Sequence, residues 1–517
     1  MKAQSPSEPR KFISDVVWVA ISRISILLTG LVTLPALTKS YSSEVYGIWS
    51  QTLVTVGFLS TILTLRFETS VVRFLAGEES TEKRRRALGT MLWPLLVFAS
   101  LVLIISTLLI QDMSLLLFNN PKYVSLVPVT FIWVAIQALF SFSLSYLRAR
   151  GNIKRISVIQ LAFATLQMAV IVVLARSQYS LGQIITYIII GQAFLIAVLF
   201  GMIVKDIGIP KPALEGLRRY LALSVPMIPS VFLMWIINAS DRYFITHLLN
   251  VSETGIYSAS YTLASMVSLF YIPISFVLFP TLSRLWEQKE LLRVRNYLEH
   301  SIRLFLAIAI PATAGLSILS QPLLSILTTT EYMAGGGLVL LVAVGTIFLG
   351  IYQMNVFIIP LIQQTKWLLL IIAVAVATNV GINIALIPVI GIMGAAISTI
   401  VSYFLLATIV TAWAARIISN RMDFKFLSKV VAATLLMALC LWFIRVDSAL
   451  SIILAVITGV IVFSLGFLLL RPLSKQDKML IMETLTTLNL WARGLICRHN
   501  LPADHGQGQN EGPENDQ

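Results

Sequence analysis

The chain has 517 residues, of which 57% are hydrophobic and only 12% charged, with a formal net charge of +14. Soluble domains carry about 25% charged residues, so this composition excludes a soluble globular protein and places the chain in a bilayer. The surplus Lys and Arg fall in short clusters between apolar runs, as in membrane loops, so no nucleic-acid partner is expected.

A helix crossing about 30 Å of hydrocarbon needs roughly 20 apolar residues. Fourteen such runs follow one another: 16–37, 48–65, 88–110, 124–146, 157–174, 181–204, 220–238, 254–279, 304–327, 337–362, 367–387, 391–415, 428–444 and 449–470. The first is too long for a removable signal peptide and lacks a small-residue cleavage site, so it is expected to stay as a span. An even number of spans puts both termini on one side. Of the 38 Lys and Arg, 32 fall in segments on that side, 5 on the other, and Arg23 lies inside the first run. The positive-inside rule therefore predicts a multi-pass plasma-membrane protein with both termini cytoplasmic.

One short pattern occurs twice. Residues 42–50 read SSEVYGIWS and residues 252–258 read SETGIYS, which sets Gly47 against Gly255 at an offset of 208. The stretches 148–175 and 363–388, leading into the fifth and eleventh runs, echo each other at a similar spacing. Six spans separate the copies, so the two halves keep the same orientation, as parallel repeats about an axis along the membrane normal. The expected fold is all-α and polytopic, with spans 1–6 facing spans 7–12 across a central cleft and two extra C-terminal helices. Its segments are a cytoplasmic N-terminal segment (1–15), the N-terminal half (16–204), a cytoplasmic linker (205–219), the C-terminal half (220–415), the extra pair (428–470) and a cytoplasmic tail (471–517), disordered beyond about residue 500. Within the repeated motif, Glu44 and Glu253 are expected near helix N-termini, where negative charge is favourable. Tyr46, Trp49 and Tyr257 are expected as anchors at the headgroup level.

The segments SSEVYGIWS, YLRARGNIKRISVIQ, LSVPMIPSVFLMWIINASDRYFI, SETGIYSASY, FPTLSRLW and NVGINIALIPVIGIMGAAIST, in this order from about residue 12 to residue 470, resemble the polysaccharide-biosynthesis, Wzx-type lipid-linked oligosaccharide flippases of the multidrug/oligosaccharidyl-lipid/polysaccharide exporter superfamily. The resemblance implies movement of a polyprenyl-phosphate- or pyrophosphate-linked glycan from the cytoplasmic to the outer leaflet, for a cell-surface polysaccharide or glycan. It also implies membrane lipids, and a glycan polymerase or glycosyltransferases, as partners. A cation-coupled drug exporter of the same superfamily is the alternative, although such exporters usually stop at twelve spans.

A flippase must carry an anionic headgroup through a low-dielectric interior, and cations lining a wet cleft offset that desolvation. Arg23, inside the first run, is the leading candidate, because a buried Arg costs at least about 2.5 kcal/mol unless it faces a cavity or a partner. Arg66 and Arg73 are seven apart and share nearly one helical face. The family resemblance also favours a basic residue at Arg73. Glu68 lies between them and could pair with either. In the second half Arg242 is a further candidate cleft cation, and Asp241 a candidate for proton or sodium coupling. Gln353, Asn355, Asn379 and Asn383 could line a polar cleft or join helices. Pro226 and Pro229 should bend or break the seventh span and are candidate hinge residues.

The remaining motifs exclude other chemistry. GIMGAAIS (391–398) spaces small residues for close helix packing. No GxxxxGK[ST] occurs, so ATP hydrolysis by this chain is not expected. Cys440 and Cys497 form neither a disulfide framework nor a metal motif, and neither metal nor cofactor is expected. The longest outer connections, 111–123 and 239–253, are too short for a catalytic domain, so an enzyme is not expected.

Overall fold

The computed structural model describes residues 8–418, 423–446 and 448–470. Every regular element among them is helical. The first half comprises α1 (Glu8–Thr38), α2 (Ser43–Leu63), α3 (Phe67–Leu75), α4 (Thr81–Leu108), α5 (Ile110–Phe118), α6 (Leu126–Ala149), α7 (Ile153–Arg176) and α8 (Leu181–Ile207). The second comprises α9 (Leu217–Ser224), α10 (Ile228–Ala239), α11 (Asp241–Leu248), α12 (Val251–Ala264), α13 (Ser268–Glu287), α14 (Leu291–Ile318), α15 (Ser320–Leu327), α16 (Gly336–Asn355), α17 (Ile358–Leu361), α18 (Thr365–Ile390) and α19 (Ile392–Ile418). Two further helices, α20 (Phe424–Trp442) and α21 (Ala449–Leu470), complete the described chain.

Thirteen helices among the described residues are long and apolar enough to cross a membrane. The remaining expected run, 16–37, lies within α1, whose apolar stretch is Ile24–Thr38. The tail from 471 onward lies outside the described residues. Span 7 is interrupted, as the two prolines require: Val225–Met227 form a 3₁₀ turn between α9 and α10, with Pro226 inside it and Pro229 at the start of α10. The linker is strapped to the first half. The Trp93 indole donates to the Pro210 carbonyl at 3.5 Å, and the Thr90 hydroxyl to the Glu215 carbonyl at 3.4 Å. A Cβ on Gly89 would lie 2.0 Å from the Lys211 carbonyl oxygen, so only glycine lets the linker cross α4 there.

The helix ends are set by local chemistry. Ser180 and Gln183 form a reciprocal capping box that starts α8, and Gly208, at φ 74°, ends it. Asp423 caps α20 by accepting from the Phe426 amide at 3.0 Å and pairs with Arg303 of α14 at 3.2 Å, which ties the extra helices to the second half. Their outer faces remain bare: Leu468 and Leu469 are 69% and 81% exposed, as suits side chains in contact with lipid tails.

The two halves meet most closely along α2 and α12, at the cation-poor face of the molecule. Here the repeated motif forms the first turns of both helices, and the copies pack on each other residue for residue. A Cβ on Gly47 would sit 2.0 Å from the Val251 carbonyl oxygen, and one on Gly255 2.1 Å from that of Ser43. The Ser43 and Ser252 hydroxyls approach to 2.5 Å, and Ser50 donates to Ser258 at 2.7 Å. The expected membrane-interface anchors are instead buried: Tyr46 is 6% exposed, Trp49 3% and Tyr257 0%. Tyr46 meets Tyr332 edge-on and Trp49 packs against Trp133. The reason is the self-pairing of the duplicated motif, which turns these rings inward. Glu44 and Glu253 do lie in the first turns of their helices.

Candidate functional site

The α2–α12 seam continues along α2 toward the basic face. Thr55 and Tyr243 share a hydroxyl hydrogen bond of 2.6 Å, and Phe58 stacks on Trp235 with ring centroids 3.9 Å apart. Beyond Phe58 the helix ends at Thr64, and both Leu65 and Arg66 adopt left-handed backbone, φ 49° and 58°. Such φ values are costly for a residue with a Cβ, of order 1 kcal/mol or more, and persist only where the surroundings enforce them. The kink starts α3 in a new direction. It sets Arg66 on the wall of a cavity of about 460 Å³.

That cavity is lined by Arg66 just ahead of α3, Glu68 and Arg73 on α3, Ser141 and Arg148 on α6, and Gln160 on α7. Arg73 and Arg148 are exposed, whereas Arg66 is half-buried, its Nε without a partner among the described residues. Sequence reasoning places Glu68 as a partner for Arg66 or Arg73. Instead, its carboxylate accepts from the Thr64 hydroxyl at 3.0 Å, and no ion pair among the described residues includes it. Its partial burial pushes the Glu68 carboxyl above the usual carboxylate range, and its local hydrogen bonds together with Arg66 and Arg148 only partly offset this. Three guanidiniums thus surround water-accessible space, and no ion pair among the described residues commits their charge. Such an arrangement can hold a phosphate or pyrophosphate by charge-assisted, bidentate contacts.

The sequence missed Arg148 and Gln160. The segment that holds them stands out as a repeat echo, and a cytoplasmic Arg is indistinguishable in sequence from a topology-setting loop charge. Arg23 lies on α1, but its side chain is outside the described residues. Its depth can still be placed. The Lys154 ammonium sits 5.3 Å from the Trp18 ring centroid, joining the early turns of α1 and α7. Counting along the two helices from that contact brings the Arg23 backbone to about the depth of Gln160.

The second-half candidates form a separate, sealed cluster. Asp241 is fully buried at the start of α11. Its Oδ2 accepts from the Tyr257 and Thr399 hydroxyls, both at 2.8 Å, and its Oδ1 from the Asn383 amide at 3.2 Å. Asn383 also donates to Asn379 at 3.1 Å and accepts from Ser398 at 2.6 Å, and Asn379 donates to Ser398 at 3.2 Å. Ser398 belongs to the GIMGAAIS stretch, whose Gly394 packs directly on the α18 backbone. Arg242 points away from its neighbour: its guanidinium lies 4.4 Å from the Tyr261 ring centroid and donates to the Asn238 carbonyl at 3.4 Å. Adjacent helical residues diverge by about 100°, which accounts for the split. Asn379 and Asn383, both 0% exposed, bind each other and Asp241 rather than facing open space. On α16, Gln353 is half-buried, while Asn355 is buried and bonds the Ile351 carbonyl at 2.9 Å. Pro226 and Pro229 are exposed at the break in span 7.

An all-helical, polytopic chain of two parallel halves, sealed at one face and holding a cationic cavity near the other, defines a membrane transporter fold. The comparisons agree: the profile of the family described as polysaccharide biosynthesis proteins matches residues 40–334, and the chain belongs to that family. It is 20% identical over 299 residues to a probable low-salt glycan biosynthesis flippase of Haloferax volcanii, covering 55% of this chain and 62% of that one. It is 25% identical over 249 residues to a probable lipid II flippase of Haemophilus influenzae, covering 44% and 48%. The alignments thus span about half to three fifths of these relatives' lengths. Among solved structures, a lipid II flippase in an inward closed conformation superposes with TM-score 0.75 at 16% identity, covering 89% of this chain and 99% of that one. An inward-facing multidrug resistance transporter of the MATE family and MOP superfamily superposes at 0.62 with 13% identity, covering 77% and 98%. At these identities the structural likeness concerns the fold.

Proposed function

We propose that this protein is a flippase that moves a polyprenyl-(pyro)phosphate-linked oligosaccharide from the cytoplasmic to the outer leaflet by alternating access, in the assembly of a cell-surface polysaccharide or glycan. The observation that carries the reading is the cavity of Arg66, Arg73 and Arg148, lying at the basic end of a molecule whose other end is sealed by the α2–α12 seam. The family and the flippases among the relatives support it. The basic face is cytoplasmic in this reading, and both termini lie there. The headgroup phosphates bind the three arginines, with Arg23 at the same depth, while the lipid tail stays in the membrane. The halves 16–204 and 220–415 then rock about the seam, with the break at Pro226 and Pro229 as a hinge, and α2 carries the motion from cavity to seam. The enzymes that build and polymerise the glycan are the partners of such a carrier. Asp241 is its ion-coupling residue, where a proton or sodium ion meets a carboxylate ringed by Tyr257, Thr399 and Asn383.

The drug-exporter reading draws on the exporter structures that share the fold. Three arginines facing one cavity argue against it, because they repel organic cations. The test uses proteoliposomes carrying a fluorescent polyprenyl-pyrophosphate oligosaccharide in one leaflet. Exchange should require the protein and fall by about tenfold or more in Arg148→Ala and Arg73→Ala, as expected for losing a hydrogen bond to a charged group. Failure of the wild type to move the glycolipid, with extrusion of an organic cation instead, would replace the flippase by the exporter.

A further inference from the structure

We propose that Glu68 is a resident counter-anion of the arginine cavity, which the substrate's phosphates must displace electrostatically, so that headgroup binding takes up a proton at Glu68. The inference rests on the flippase reading of the cavity. It follows from placement: Glu68 shares the cavity wall with Arg66, Arg73 and Arg148 yet is held by the Thr64 hydroxyl at 3.0 Å, not by a guanidinium. The kink at Leu65 and Arg66 brings both a cation and this carboxylate to one wall within three residues.

The charges facing this carboxylate come from few elements. They are Arg66, at the N-cap of α3, and Arg73 on that helix, and α6 adds Arg148; among the described residues lining the cavity, α7 contributes the neutral Gln160. From α9, which packs on α3, the Arg219 guanidinium is over the Phe74 ring at 4.5 Å, and the Tyr220 carbonyl accepts from Ser70. From α4, Arg84 is bound to Asp206 of α8 at 3.0 Å. None of these last groups offers the cavity a second carboxylate.

With Glu68 ionised the described residues give the cavity three cations and one anion, enough to balance the two ionised oxygens of a pyrophosphate diester. Bringing that dianion beside an ionised carboxylate is repulsive, and a like charge raises the proton affinity of a carboxyl. The bound state therefore holds the Glu68 proton more tightly than the free state. By linkage, affinity is highest at pH values below the free-state pKa and declines as pH rises through the bound-state pKa. Burial already places the free carboxyl above its ordinary range, which brings this window toward neutrality.

The test is calorimetric binding of farnesyl pyrophosphoryl-N-acetylglucosamine to the full-length protein in nanodiscs, from pH of about 8 to about 5, a range over which the probe's two charges are constant. Buffers of different ionisation enthalpy count the protons. The wild type should bind more tightly as pH falls, with proton uptake. Glu68→Gln should bind about tenfold more tightly at the upper end, equivalent to one pKa unit, without pH dependence or uptake. Thr64→Val removes the hydroxyl that favours the ionised form and should move the wild-type profile to higher pH. Retained pH dependence in Glu68→Gln, or weaker binding, overturns the proposal. Loss of binding in Arg73→Ala and Arg148→Ala alongside a silent Glu68→Gln defeats only the role of Glu68. Unchanged binding in the arginine variants defeats the cavity reading itself.

Discussion

The two halves share a backbone plan and divide the polar chemistry between them. Helix α7 begins at Ile153 and α18 at Thr365, an offset of 212, and the residues ahead of them, Gly151 and Gln363, both have positive φ at the same offset. Helices α8 and α19 start 211 apart. On these offsets Asn383 of the sealed cluster corresponds to Ile171, and Thr399 to Ile188, both buried in apolar core. Conversely, Gln160 of the arginine cavity corresponds to Ile372, which is 2% exposed. Duplication therefore preserved how helices meet, while these two polar clusters differ: cations beside accessible space in the first half, a carboxylate locked among donors in the second. A binding surface needs uncommitted charge, whereas an interior needs every polar group satisfied.

The strongest way to break this comparison is to remove the charge that the second half has sealed. In Asp241→Ala the Tyr257, Thr399 and Asn383 donors lose their buried acceptor. Leaving one buried donor unsatisfied costs about 1–3 kcal/mol, and here three are left at once. Unfolding in mixed micelles should show a loss of that size, and Asp241→Asn, which keeps an acceptor oxygen, should lose much less. Equal and small losses in both would mean that the cluster is not sealed.

A second prediction sharpens the one place where the halves are symmetric. Gly47→Ala puts a methyl group 2.0 Å from a carbonyl oxygen across the seam, and forcing atoms into such a contact costs about 1–3 kcal/mol or more. Oxidative crosslinking of Ser43→Cys to Ser252→Cys should then fall sharply. Gly57→Ala, on the same helix with open space around its added Cβ, should leave crosslinking unchanged. A Gly47→Ala protein that crosslinks normally would show that the halves do not need this contact to close.

Much of the architecture could be read from the sequence because lipid imposes length and apolarity on every span, and loop charge marks the sides. The duplication was visible in SSEVYGIWS and SETGIYS, but its use was not. A Gly followed by aromatics fits both a surface turn and a helix crossing, and only the pairing of Ser43 with Ser252 and Ser50 with Ser258 decides for the crossing. Arg66 and Arg73 could be named from their spacing, since a seven-residue separation sets a face. Arg148 could not, because which helix packs on α3 is a tertiary fact. Asp241 was legible as a membrane carboxylate, yet its partners come from helices 16 to 158 residues away.

The smallest effect is expected at Gln51, where the symmetry of the seam fails by one side chain. Gln51 lies one turn beyond Gly47 on the same face of α2, and its counterpart at the seam's offset of 208 is Ala259. Both are 0% exposed, and neither polar atom of the Gln51 amide has a hydrogen-bond partner among the described residues. An unsatisfied buried amide costs about 1–3 kcal/mol, a penalty relieved when the seam parts and the amide regains partners. The closed seam is therefore expected to carry a bias toward opening. Gln51→Leu removes the polar atoms while keeping most of the volume, and should stabilise the closed seam by about 1 kcal/mol, roughly a fivefold shift in the closed-to-open ratio. Faster crosslinking of the Ser43→Cys and Ser252→Cys pair, together with slower glycolipid exchange, is the expected outcome. Gln51→Ala removes the same atoms but leaves a void, so its gain should be cancelled by lost packing. A Gln51→Leu protein that closes less readily would mean that the amide holds the seam together instead of loosening it.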